Sequence, residues 1–230
     1  MSLPQGAAKV AAVESMFDAI AGRYDLLNRV LTFGMDVGWR KRTVAALGLP
    51  PGARVLDVAC GTGDLCRELD RLEYRTMGVD RSAGMLAAAT TTAGLVRADA
   101  LALPVSDGAA DGLVCGFALR NLVSLEAFFA ECARVLRPGG RVALLEVAEP
   151  ANPVLRLGHS VYFGRIVPLV GGLVSDRAAY RYLPRSLAYL PPEPELVGML
   201  ADAGFPDASR TALSTGIAQL LCGTRAGAAR

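Results

Sequence analysis

The sequence predicts an α/β chain in which a mainly parallel sheet carries helices on both faces. Three observations predict it. The apolar head of Val55-Leu56-Asp57-Val58-Ala59-Cys60-Gly61-Thr62-Gly63-Asp64-Leu65 reads as a buried parallel strand that breaks at a glycine-bearing turn and enters a helix. Strand-like and helix-like segments then alternate through the middle of the chain, the pattern that builds parallel βαβ units. Successive strands also carry acids at their ends, Asp57, Asp80 and Asp99. This places three carboxyl groups at the carboxyl edge of the sheet, where open α/β sheets bind ligands.

Taken in order, the stretch Phe17 to Arg40 (FDAIAGRYDLLNRVLTFGMDVGWR) precedes the first core strand and is amphipathic in places. It reads either as a packing segment or as a lid over the carboxyl edge with Tyr24 toward the ligand. Strands are expected near Arg54–Val58, Thr76–Val79, Leu95–Ala98, Gly112–Phe117 and Arg141–Val147. Helices are expected near Leu65–Leu72, Ala83–Thr91 and Leu125–Leu136, with Ser82 and Ser124 as N-caps of the last two. Arg137-Pro138-Gly139-Gly140 stops a helix and turns the chain into the fifth strand. The segment Val154–Val174 is apolar, but Arg156, Arg165, Pro168 and its glycines disqualify it as a bilayer span. It reads as a cover over a substrate pocket, or as an interfacial patch. The chain is expected to be a single domain in four parts: residues 1–45, a helical lid or substrate segment; 46–150, the ligand-binding core; 151–192, a substrate-cover insertion; and 193–230, a C-terminal helix with sheet-completing strands.

Composition excludes several classes. A length of 230 residues buries a sizeable core, and a net charge of +2 leaves no electrostatic footprint for nucleic acid. Cysteines 60, 66, 115, 132 and 222 form no CxxC pair, so neither a disulfide framework nor a metal site is expected. No signal peptide is legible at Met1-Ser2-Leu3-Pro4-Gln5, and no run of eighteen apolar residues spans a bilayer. A cytoplasmic protein is expected. The hydrophobic fraction of 52% is high for such a chain and points to an apolar ligand or surface.

The glycine turn narrows the ligand. A dinucleotide fingerprint needs glycine at position 66, where Cys66 stands, and Asp64 opposes a pyrophosphate at the helix N-terminus. The loop suits a nucleoside with no phosphate and a positive centre, and S-adenosylmethionine is that ligand. An ionised Asp80 accepts two hydrogen bonds from a ribose diol. A nicotinamide oxidoreductase and a non-catalytic cofactor-binding protein are the competing readings.

The pattern D-x-A-C-G-T-G-D, with a second acid closing the next strand, resembles the core of class I S-adenosylmethionine-dependent methyltransferases. That resemblance implies a Rossmann-like, mainly parallel seven-stranded sheet flanked by helices. It carries Thr62, Asp80, Asp99 and Ala100 over as cofactor contacts, and Asp57, Ala59, Gly61, Gly63, Arg81 and Gly116 complete the candidate set. The opening Phe-Asp-x-Ile-Ala-x-Arg-Tyr-Asp-Leu-Leu-Asn is similar to the ubiquinone/menaquinone-biosynthesis C-methyltransferase family. So are Leu119-Arg120-Asn121, the Tyr-x-Tyr-Leu-Pro-x-Ser segment and Gly216-Ile217. Three positions depart from that family: Gly116 for a frequent Ser, Ala118 for a usual Gly, and Leu221 for a common His.

The resemblance implies methyl transfer from S-adenosylmethionine to a ring carbon of a polyprenylated quinol, with demethylmenaquinol first among acceptors. The alternative is C- or O-methylation of another small aromatic or secondary metabolite. Partners are then a lipophilic quinol or aromatic acceptor, transient contact with a membrane surface, a homodimer, and no nucleic acid. The reaction needs alignment in a dry pocket and a group that supports the acceptor oxygen as it gains charge. Arg120 leads the catalytic candidates because a guanidinium stays charged, followed by Tyr182 and by His159, the sole histidine, which sits in an apolar context. Tyr24, Asn121, Tyr180 and Arg185 are the candidate substrate contacts.

Overall fold

The computed structural model describes residues 5–162 and 186–227, with the side chains of 159–161 left aside. Three helices come first: α1 (Gly6–Ile20), α2 (Tyr24–Leu31) and α3 (Met35–Ala46). The core follows as β1 (Arg54–Val58), α4 (Asp64–Asp70), β2 (Arg75–Asp80), α5 (Ala83–Ala88), β3 (Gly94–Arg97), β4 (Ala110–Gly116), α6 (Leu125–Val135) and β5 (Leu136–Val147). After α7 (Pro153–Val161), the described chain resumes and closes with α8 (Glu193–Asp202), β6 (Ser209–Leu213) and β7 (Ala218–Thr224).

The strands form one sheet in the order β3-β2-β1-β4-β5-β7-β6. β1 to β5 pair in parallel, and β7 joins antiparallel to both β5 and β6. The order reverses between β1 and β4, so the crevice for a ligand opens beyond their carboxyl ends. One face is sealed by α6 and α8, with Phe128, Phe129 and Phe205 fully buried against Leu113 and Leu144. The other is sealed by α3 and α4 through Trp39, Val44, Leu47, Leu65 and Leu69. Each such side chain contributes about 1.5–3 kcal/mol by leaving water. A third cluster, Ile20, Ala21, Leu27 and Met85, ties the N-terminal helices to α5 and thereby to the carboxyl edge.

Both serine caps form: Ser82 Oγ accepts from Met85 N and Ser124 Oγ from Ala127 N, each at 3.0 Å. Two boundaries differ from the sequence expectation by three residues or more. α5 stops at Ala88 rather than Thr91, because Thr90 N donates to Thr62 O at 3.1 Å and draws the chain to the glycine turn. A run of β-branched threonines offers little helical resistance. β5 begins at Leu136, ahead of Arg141, since Leu136 pairs with Ala110 of β4 and the next residues are held on the other side by Gly139 N donating to Arg225 O and Arg225 N to Gly140 O. Among the described residues no helix is long and apolar enough to cross a membrane.

Candidate functional site

Two cavities meet above the carboxyl edge. The first is floored by the β1–α4 turn and by the ends of β2, β3 and β4, and it is roofed by α1 through Val10, Val13, Glu14 and Phe17. The turn is built by backbone geometry: Gly61 and Gly63 have φ of 55° and 85°, and Ala59 also sits at φ 58°. Phe117, just past β4, has φ 59°. A left-handed non-glycine residue costs about 1–3 kcal/mol and persists where the surroundings enforce it. Both residues line the first cavity.

Asp57, Ala59, Gly61, Thr62, Asp80, Arg81, Asp99, Ala100 and Gly116 all line this cavity. Gly63 instead caps α4, and a Cβ there would lie 2.9 Å from Thr91 Cγ2. Asp80 accepts from Gly61 N and Ser82 N, each at 2.8 Å, so its carboxylate is fixed in direction with lone pairs to spare. Burial raises its pKa, opposed by those amides. Asp99 accepts from Arg81 Nη1 at 2.6 Å and from Leu101 N at 3.0 Å. Asp57 is wholly buried, and desolvation pushes its carboxyl up to about 7 against the Cys66 thiol, which donates to Oδ2 at 3.2 Å.

The N-terminal helices are latched onto this floor. Asp18 accepts from Ser82 Oγ and from Gly84 N, Glu14 pairs with Arg81 and Arg97, and Lys9 Nζ donates to Leu122 O at 2.6 Å. From α2, Asp25 accepts from Thr62 Oγ1. Tyr24 of the N-terminal segment lines both cavities.

The second cavity, about 390 Å³, shares Phe17, Tyr24 and Phe117 with the first. Its walls are mostly apolar, including Ile20, Leu31, Met35, Trp39, Val147 and Ile217. Arg120 reaches it from the 3-10 turn Leu119–Asn121. The guanidinium is braced from behind: Nη1 pairs with the fully buried Glu146 and donates to Phe117 O, and Nε donates to Ser186 Oγ at 3.1 Å. Among the described residues Nη2 makes no hydrogen bond. Asn121 lines the first cavity rather than the second. His159 lies on α7 with its side chain outside the described set, and Tyr180, Tyr182 and Arg185 fall outside the described residues.

A model of the ubiE/COQ5 methyltransferase family matches residues 5–225. The chain belongs to that family. The methyltransferase is 42% identical to a demethylmenaquinone methyltransferase of Roseiflexus castenholzii, over 98% of each chain. It is 43% identical to a demethylmenaquinone methyltransferase of Thermus thermophilus, over 91% of this chain and all of that one. It is 39% identical to the ubiquinone/menaquinone biosynthesis C-methyltransferase UbiE of Syntrophotalea carbinolica, over 91% and 92%. Among solved structures, a methyltransferase from Aquifex aeolicus shares the fold at TM-score 0.57 and 16% identity, over 80% and 88% of the two chains. Phosphoethanolamine N-methyltransferase 2 of Haemonchus contortus, in complex with S-adenosyl-L-methionine, does so at 0.59 and 14%, over 81% and 52%.

The three departures acquire physical reasons or positions. A Cβ at Gly116 of the methyltransferase would meet Leu65 Cδ1 at 2.9 Å, so Leu65 and Gly116 are packed as a pair. Ala118 is buried beside the first cavity. Leu221 is fully buried in β7 opposite Leu144, lines neither cavity, and belongs to the core. Sequence reasoning missed Arg40, Glu146 and the latches Lys9, Glu14 and Asp18. Their only signal was a charge set among apolar residues, which does not name its partner.

Proposed function

We propose that this methyltransferase transfers the methyl group of S-adenosylmethionine to a ring carbon of a polyprenylated quinol, demethylmenaquinol giving menaquinol. The observation that carries the reading is the junction of the two cavities. An acid-rimmed nucleoside site and a mostly apolar chamber share Phe17, Tyr24 and Phe117, and Arg120 is braced at the chamber wall. The residues present fit the cofactor: Asp80 has lone pairs for a ribose diol, Thr62 and Gly61 offer a turn open to close approach, and Asp99, Ala100 and Arg81 border the remaining edge. When bound, the sulfonium supplies an activated methyl group, so the protein's task is alignment and exclusion of water.

Arg120 supports the acceptor oxygen as negative charge gathers on it, presenting Nη2 while Glu146 and Ser186 hold the rest of the fork. The proton lost from the ring falls to His159, Tyr182 or solvent. Tyr24, Tyr180 and Arg185 position the ring, and Asn121, which lines the first cavity, faces the cofactor side instead. Phe33, Val154 and Leu157 are 77%, 78% and 69% exposed, and the first two also line the second cavity. This apolar rim supports brief contact with a membrane surface from which a lipophilic quinol enters. Turnover against a panel of acceptors tests the reading. A short-chain demethylmenaquinol is expected to outpace simple phenols and catechols, and preference for a phenol oxygen would overturn it.

A further inference from the structure

Most polar side chains on the wall of the second cavity are spent within the protein. Asp36 pairs with Arg40 and accepts from Thr32 Oγ1 at 2.8 Å, and Trp39 Nε1 donates to Ser214 Oγ at 2.8 Å. Tyr162 donates to Leu31 O at 2.7 Å, and Thr215 Oγ1 to Ser214 O at 2.6 Å. Asn28 differs. It stands on α2 and lines the same cavity, and its Nδ2 is buried with no hydrogen-bond partner among the described residues.

The Tyr24 phenol, one turn earlier on α2, feels this amide: burial raises its pKa, and Asn28, Arg40 and Arg120 oppose the rise. An amide nitrogen carries two N–H groups, so a neighbour at Tyr24 engages one at most and leaves the other for the cavity. Buried donors are nearly always satisfied, and an idle one on a ligand cavity marks where an acceptor oxygen is to arrive. Arg120 Nη2, on the same cavity, makes no hydrogen bond among the described residues either. Two idle donors call for two oxygens. A quinol ring carries two, para to each other, whereas a simple phenol carries one.

We propose that Asn28 is the second anchor of the acceptor ring, its amide donating to the quinol oxygen para to the one that Arg120 supports. The inference rests on the quinol reading above and adds to it what selects a ring with two oxygens. Held by Arg120 alone, the ring pivots about one oxygen; a second fixed donor removes the pivot and keeps one ring carbon turned to the cofactor. A site that hydrogen-bonds a substrate hydroxyl also rejects an analogue lacking it, because the donor is then left buried and unpaired. The anchor is set relative to the methyl donor, since Asp25 on the same helix accepts from Thr62 Oγ1 of the cofactor turn.

Turnover of two acceptors tests the inference: a short-chain demethylmenaquinol, and the 1-naphthol of the same ring and side chain, which lacks the second hydroxyl. Asn28→Leu keeps the volume and removes the donor. It is expected to lower kcat/KM for the quinol at least about tenfold and for the naphthol by less than about twofold. Where naphthol turnover is too slow to follow, its inhibition constant against the quinol gives the same comparison. Asn28→Gln, which keeps the amide on a longer stem, should restore part of the loss. The ligand-free melting temperature of Asn28→Leu should equal or exceed that of the unaltered protein, because an unpaired buried donor is gone. Where Asn28→Leu fails to fold, Asn28→Ala serves in the same pair of assays. Equal losses on both acceptors, or no loss on the quinol, would overturn the inference, and equal losses with a lowered melting temperature would make Asn28 a structural residue. An unaltered protein that does not methylate the quinol at all would bring down the quinol reading, and the inference with it, before any variant is made.

Discussion

Replacing Arg120 by Met removes the cation from the acceptor cavity, and it also strands Glu146. That carboxylate has no exposed surface, and among the described residues its side chain without Arg120 keeps only backbone donors, Val147 N at 2.8 Å and the N–H of residue 120 at 3.2 Å. Breaking one side of a buried ion pair costs about 3–5 kcal/mol, a large share of the roughly 5–15 kcal/mol that holds a domain together. For a chain of this size that is a melting temperature lower by about 6–20 °C. Turnover of the single variant therefore mixes two effects. Adding Glu146→Gln removes the stranded charge and is expected to return most of the lost melting temperature. The double variant should still turn over a short-chain demethylmenaquinol at least about tenfold more slowly, equivalent to 1.4 kcal/mol at the transition state. Affinity for S-adenosylhomocysteine reports on collateral damage, because Phe117, whose carbonyl accepts from Arg120, also lines the cofactor cavity. It is expected to stay unchanged. A double variant that folds, binds S-adenosylhomocysteine normally and turns over at the original rate would refute the role given to Arg120.

Asp80→Ala removes charge-assisted hydrogen bonds worth about 1.5–3 kcal/mol each and should weaken S-adenosylhomocysteine at least about tenfold by calorimetry; unchanged affinity in a folded variant would remove Asp80 from the ribose. Gly116→Ser places a Cβ against Leu65 Cδ1 and should cost about 1–3 kcal/mol in chemical denaturation, with Leu65→Ala in the same chain relieving the contact. Asp57 titrates high in the folded protein because it is buried, so its contribution to stability is full below its unfolded value of about 4 and is lost as pH rises toward about 7. The groups acting on it are Cys66, Asp80 and Arg40, of which only Asp80 raises it further. Urea unfolding of Asp57→Asn without ligand should lose less stability across that window than the unaltered protein does, and an identical pH slope would show that another group carries it.

The parts legible in the sequence are those fixed by local chemistry. The turn Ala59–Gly63 announced itself because its backbone lies in the left-handed region at Ala59, Gly61 and Gly63 and because its flanking acids end strands. Ser82 and Ser124 were readable as caps because a cap is a contact across three residues. What escaped depends on residues far apart in the chain. The end of α5 is set by Thr62, and the early start of β5 by Ala110 and Arg225. Arg120 was legible as a charged group at the edge, yet Glu146, 26 positions on, was not legible as its brace. Arg40 stood at the end of an aromatic-rich stretch, and nothing local showed that it lies against Asp64 on another element. Gly116 read as a missing cofactor contact, whereas Leu65 gives it a packing reason.

The central claim is transfer of a methyl group to a quinol ring carbon. Incubation with methyl-labelled S-adenosylmethionine and chemically reduced demethylmenaquinone, followed by fragmentation of the product in a mass spectrometer, tests it directly. The account predicts a quinone one methyl heavier with the label retained on the ring. Label on a phenolic oxygen, or no label in the quinone while an unrelated aromatic becomes methylated, would contradict it.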